Sequence, residues 1–168
     1  MRLEAPSLGA LADVRHGFFG RQGGVSHGPF ASLNVSLRNA DATANAVENR
    51  RRVVAALDAG AAPLLIARQV HGARCLVVEA AFDQQQPPEA DALATRTPGL
   101  VLGVTTADCA PILMADPVAG VVAAAHAGWR GAKDGIIEAT VAAARELGAA
   151  VDRLVTAIGP CIARTSYE

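Results

Sequence analysis

Aromatic side chains are scarce in this sequence: four Phe, one Trp and one Tyr make up 4% of 168 residues. A core built without them relies on Ala, Val, Leu and Ile packed in close layers. Lysine is nearly missing too. Lys133 is the one lysine, so basic charge is carried by arginine. Arginine suits bidentate contacts to phosphate or carboxylate, although genomic codon bias produces the same excess. Neither sign of charge dominates: a formal net charge of −1 and a pI near 6.4 give no bulk attraction to nucleic acid or an anionic membrane. No apolar run approaches the ~20 residues that span a bilayer. Glu4, Pro6 and Asp13 interrupt the stretch from Met1 to Val14, which therefore does not read as a secretory signal. The three cysteines, Cys75, Cys109 and Cys161, are odd in number, widely spaced and without a CxxC pair. Such a set fits a reducing cytosol and metal or catalytic use better than a disulfide framework. These absences predict a soluble cytoplasmic protein. What is present, 51% hydrophobic and 18% charged residues, argues against disorder and for one domain with a full core.

The stretch from Val101 to Gly131 organises the chain. Ala110 to Ala115 and Val121 to Ala125 read as short buried strands, and Asp116-Pro117 with Gly120 as the reversal between them. A two-residue turn sets Cys109 opposite His126; a four-residue loop ending at Gly120 sets His126 opposite Pro111. The registers differ by two, so both place Cys109 and His126 on one face. Directly opposed Cβ atoms lie about 4.5–5.5 Å apart and diagonal ones roughly 7–8 Å, close enough to share one ion.

Elsewhere, His16 to Leu37 is a glycine-rich loop region presenting Arg21, Ser32 and Asn34. Asp41 to Leu57 reads as a helix with Val47, Val53, Val54 and Leu57 as its apolar stripe and Arg50, Arg51 and Arg52 mainly opposite. Arg50 is either part of a solvated face or an anion contact. Leu64 to Glu79 is strand-like and carries His71 at a His-Gly junction, with Cys75 as a buried small hydrophobe. Asp83 to Glu89 is a polar loop. Ala132 to Leu147 reads as a helix whose inner face holds Ile136, Ile137, Thr140, Val141, Ala144 and Leu147. Leu154 to Ile158 is a last strand. Strands and helices do not alternate strictly, so an α+β layered arrangement with mixed sheets fits best.

His71, Cys109 and His126 would make a three-ligand zinc site with an open fourth position, the catalytic pattern. Asp108, Arg68, Gln69 and Arg130 adjoin these ligands in sequence and are candidates for orientation, proton transfer or anion binding. A rival uses Cys109 as nucleophile and His126 as base without metal. A nucleotide-binding module resting on Arg21, Arg50 and the glycine loop is a third reading, which leaves the Cys-His pairing unexplained.

The blocks HGFFGRQGGVS, SLNVS, ENR, QVHG, TADCAPIL, AAAHAGWRG and IGPCI…SYE occur in an order that resembles the YfiH/laccase-domain family of multicopper polyphenol oxidase-like proteins, from Arg15 to Glu168. The resemblance implies zinc ligation by His71, Cys109 and His126, and a layered α/β/β/α fold related to the cytotoxic necrotising factor deamidases. It implies phosphorolysis of adenosine, inosine, guanosine and methylthioadenosine, with adenosine deamination beside it. Cys109, His126 and Asp108 are then the expected catalytic groups, and Arg21, Asn34, Arg50, Gln69 and Arg130 the expected substrate contacts. The expected partners are nucleoside and phosphate, and the expected assembly is a monomer or small homo-oligomer. Older assignments in the family are copper-dependent phenol oxidation and peptidoglycan-precursor editing; copper is accordingly the second metal expected. His16 and His27, outside any HxH pair, offer few further copper ligands. Gly20 stands where the family usually has Thr or Ser. Relatives normally run on beyond SYE, so residues 1–168 are expected to be a single domain truncated at its C-terminus.

Overall fold

The computed structural model describes residues 2–167. Its centre is a mixed five-stranded sheet in the order β4 (Cys75–Val77), β5 (Ala92–Thr95), β8 (Val121–Ala127), β7 (Ala110–Asp116), β9 (Val155–Ile158). β4 and β5 are parallel and the remaining pairs antiparallel. A parallel pair, β3 (Leu64–Ile66) and β6 (Val101–Gly103), forms a second sheet, and β1 (Arg2–Leu3) with β2 (Phe18–Phe19) an antiparallel third. The helices are α1 (Pro6–Gly9), α2 (Thr43–Ala56), α3 (Trp129–Asp134) and α4 (Ile136–Glu146).

The alanine-rich strands make the layering possible. On one face of the central sheet, Ala92, Ala94, Ile112, Met114, Ala123 and Ala125 pack under Ile136 and Ala143 of α4. On the other face, Leu93 joins Leu65, Ala67 and Val78 beside the β3–β6 pair, while Ala115 and Ala157 meet Leu8 of α1. Methyl-sized side chains let these layers approach closely, which offsets the shortage of aromatic bulk. With α2 tied to β3 by an Arg50–Leu64 carbonyl contact, the arrangement is the mixed-sheet layered fold expected from the sequence.

The β7–β8 hairpin adopts the four-residue-loop register, with Asp116 opposite Val121 and His126 opposite Pro111. Asp116 fixes it. This fully buried carboxylate accepts the Val118 and Ala119 N–H groups at 2.9 and 3.1 Å, the Ala150 N–H at 2.9 Å, and an ion pair from Arg153 at 2.8 Å. Burial pushes its carboxyl up, but the Arg153 and backbone hydrogen bonds outweigh that and hold it well below the usual range.

Three expectations are revised. The strand-like stretch Leu64 to Glu79, with its His71-Gly72 junction, is two strands in different sheets, β3 and β4, and His71 between them takes a left-handed backbone, φ 60°. The helix expected over Ala132 to Leu147 is two helices broken at Gly135, φ 94°, with Ile137 turned outward and Ala143 inward. Arg50 lies on the buried face of α2 with Ala46, Asn49, Val53 and Val54, whereas Val47 is exposed.

Candidate metal centre and its cleft

Asp91 is the residue from which the site is built. It precedes β5 and stands opposite His126, one step beyond the Ala92–Ala125 pair. Its carboxylate is fully buried, and such a group is costly unless every oxygen finds donors. It finds four. Val70, His71 and Gly72 donate their backbone N–H groups at 3.0, 2.9 and 2.8 Å, and His126 donates its Nδ1–H at 2.8 Å. Three successive N–H groups converging on one carboxylate explain how His71 is held in a left-handed conformation that a non-glycine residue otherwise avoids. Burial raises the Asp91 carboxyl, yet these bonds, that from His126 foremost, bring it below its ordinary value.

The same carboxylate thus sets the His71 loop and the His126 ring. With Nδ1 donated to Asp91, Nε2 of His126 is left as a free acceptor. Cys109 arrives from the turn before β7. The donor atoms of His71, Cys109 and His126 all lie within 4.8 Å of one another, and the two imidazoles meet edge to face, planes at 80°. Donors bonded to one ion at about 2.0–2.3 Å stand roughly 3.3–3.8 Å apart in a tetrahedron, so a shift of about 1 Å closes the group. Gly128 leaves the space for it: a Cβ there would meet His71 Nδ1 at 2.9 Å and Cys109 Sγ at 3.1 Å. Burial raises the Cys109 thiol above its ordinary value, and the charges of Asp108 and Asp91 raise it further. A nucleophilic cysteine needs the opposite trend, which a bound cation supplies. The donor set and its orientation therefore fit one metal ion.

The three donors open onto a cleft of about 420 Å³ also lined by Arg38, Gln69, Thr105, Thr106 and Asp108, within the range of small-molecule sites. Gln69 is committed to the walls. Its Nε2 donates to the Thr105 carbonyl at 2.8 Å and its Oε1 accepts the Thr105 N–H at 2.8 Å. That clamp joins the His71 loop to the Cys109 loop.

The other expected substrate contacts are placed elsewhere. Arg21 donates twice to the Ala31 carbonyl, at 2.8 and 2.6 Å. Asn34 donates to Asp41 at 2.8 Å. Arg50 is buried and donates to the Val35 carbonyl and Gln84 Oε1, each at 2.8 Å; burial, with the Arg38 charge, lowers it to about 10. Arg130 lies 5.2 Å over the exposed Trp129 ring, outside the cleft lining. Arg68 pairs with Glu89, and the His16 ring accepts the Ala5 N–H at 2.8 Å. The sequence reading missed Asp91 and Arg38. A lone carboxylate inside the apolar run Ala90 to Thr95 was the available signal for Asp91.

Residues 15–168 match the family described as multi-copper polyphenol oxidoreductase laccase. The chain is 46% identical over 168 residues to a Deinococcus radiodurans protein named purine nucleoside phosphorylase, covering 99% of this chain and 62% of that one. It is 42% identical over 152 residues to a Streptomyces coelicolor protein of the same name, with 90% and 63% covered. It therefore spans less than two thirds of the length of either relative. Among solved structures, YlmD from Geobacillus stearothermophilus superposes with a TM-score of 0.84 at 36% identity, over 97% of this chain and 62% of that one. YfiH from Bacillus licheniformis gives 0.82 at 34%, over 90% and 60%. No helix among the described residues is long and apolar enough to cross a membrane. On the match over residues 15–168 and these structural neighbours, the chain belongs to the YfiH/laccase-like family of multi-copper polyphenol oxidoreductase laccases.

Proposed function

We propose that this chain carries the site of a zinc-dependent purine nucleoside phosphorylase acting on adenosine, inosine, guanosine and methylthioadenosine. The observation that carries the reading is the His71, Cys109 and His126 donor group at the head of a nucleoside-sized cleft, in a chain whose relatives bear that enzyme's name. The two imidazoles and the thiolate would hold zinc, which as a Lewis acid polarises a substrate oxygen when bound. Asp91 keeps the His126 ring fixed, and Gln69 keeps the two ligand loops at a constant spacing. In phosphorolysis an oxygen of phosphate forms the bond to C1′ as the bond from C1′ to the base nitrogen breaks. The base leaves with that electron pair and takes up the proton that phosphate brings, and Asp108 on the cleft wall is the group assigned to relay it.

The one three-donor group among the described residues holds one ion, which favours this chemistry over copper oxidation, where ligands for several coppers are needed. Adenosine deamination belongs to the same reading and is checked by ammonia release without phosphate. The first test measures hypoxanthine release from inosine, with and without phosphate, on protein of known zinc content. Phosphate-dependent release at about one zinc per chain supports the proposal. Cys109→Ala and His126→Ala are expected to lose both the zinc and at least about 100-fold of the rate, while Cys75→Ala spares both. Stoichiometric zinc retained by Cys109→Ala would remove that residue from the ligand set.

A further inference from the structure

The arginines flanking the ligand motifs are nearly all spent on other groups. Arg21 and Arg50 donate to carbonyl and amide oxygens, Arg68 pairs with Glu89, and Arg130 covers Trp129. Arg38 differs. It lines the same cleft as His71, Cys109 and His126, and it joins no ion pair among the described residues. Its Nη2 donates to the Ala67 carbonyl at 3.3 Å, which leaves most of the five guanidinium N–H groups without a protein acceptor.

We propose that Arg38 binds the phosphate cosubstrate, an inference that rests on the phosphorylase reading for the identity of the anion. Arg38 is the one guanidinium in the cleft lining, and its planar fork matches two phosphate oxygens at once. Arg50 lies near enough to feel the Arg38 charge, and its own partners are neutral oxygens. Neither guanidinium is bonded to a carboxylate. Thr106, in the same lining, donates its hydroxyl to no protein group among the described residues, and the backbone N–H groups of Thr106, Ala107 and Asp108 are likewise free. They are available to the same anion. The contact to Ala67 ties Arg38 to the segment that carries His71, so anion and metal donors share one support.

The experiment compares the purified chain with Arg38→Ala and Arg38→Lys in two readouts: phosphate dependence of inosine phosphorolysis, and the melting-temperature rise caused by inorganic phosphate alone. Arg38 is exposed, so both variants are expected to fold with wild-type zinc content. Arg38→Ala should raise KM for phosphate about 10- to 100-fold and leave KM for inosine unchanged. Arg38→Lys should fall between, keeping charge and losing the fork. An unchanged KM for phosphate in an active Arg38→Ala overturns the proposal while leaving the phosphorylase reading intact. If the parent chain does not cleave inosine, that reading fails, and the melting shift decides alone. A phosphate-induced rise lost in Arg38→Ala supports Arg38 as an anion site; no rise in the parent, or equal rises in both, overturns it.

Discussion

The glycine-rich loop of residues 20–34 and the paired turns at 68–72 and 105–109 share the features that mark ligand-presenting loops in a sequence: glycine, arginine, and clustered polar side chains. In both, a buried side chain ties down the backbone; they differ in which side chains are left over. In the first, side chains serve the backbone. Asn49 of α2 is fully buried and donates to Ser26 Oγ, the Ser32 carbonyl and the Asn34 carbonyl at 2.9, 3.1 and 2.8 Å, while accepting the Val25 N–H at 2.8 Å. Ser26 and Asn34 both donate to Asp41, and Arg21 folds back on Ala31. In the second, one buried carboxylate takes up the backbone of residues 70–72, which leaves the side chain of His71 to face the cleft. The same types of residue build a closed knot in one place and an open donor group in the other. What separates them is whether each polar atom already has a partner, not how many polar atoms there are.

The comparison breaks most sharply at Asp91. Asp91→Ala strips the acceptor from three backbone N–H groups and from the His126 imidazole. Each orphaned group costs about 1–3 kcal/mol, and the costs are not independent, so a loss of about 4–6 kcal/mol is expected. That is comparable to the whole stability of many domains. Urea denaturation should show it as a large fall in midpoint, together with loss of bound zinc. An unchanged midpoint would mean that the carboxylate does not organise the site.

Asn49→Ala comes next, at about 2–4 kcal/mol, since it orphans the Val25 N–H and two carbonyls in the same way. Here the expected readouts divide. Stability falls, but zinc content stays at the parental value because no bond of this knot reaches the ligands. Zinc lost from a folded Asn49→Ala would show that the two regions are one unit.

Much of this was legible in advance because it rests on local arithmetic. The period of two along β7 and β8, with a turn at Asp116 to Gly120, restricted the register to two choices, and both put Cys109 and His126 on one face. The observed Pro111–His126 pairing is the diagonal one. Arg50 shows a different limit. Buried positions 46, 49, 50, 53 and 54 of α2 follow the helical period with Arg50 in mid-stripe, yet its charge and its neighbours Arg51 and Arg52 pointed outward. Arg51 and Arg52 do face solvent and pair with Glu48, holding its carboxyl near 2. The break between β3 and β4 was legible only as the His71-Gly72 junction. His71 holds a left-handed backbone through bonds to a carboxylate 20 residues away, and no local pattern records such a bond.

Gln69→Ala is the mildest and the most discriminating change. Its amide makes two bonds to the Thr105 backbone, and Thr105 also donates its hydroxyl to Oε1 at 3.0 Å. All of these groups lie near water, which replaces them when they are lost, so the expected cost is only about 1 kcal/mol. The consequence for the site is larger than the consequence for the fold. The clamp sets the spacing between the loops of His71 and Cys109, and a looser clamp should weaken zinc binding about tenfold. Competition with a chelator of known affinity measures that directly. A tenfold loss at near-parental stability would show that this region, unlike the Asn49 knot, directs its hydrogen bonds toward a function. Equal affinity would leave Gln69 a loop tie of the same kind as Arg21.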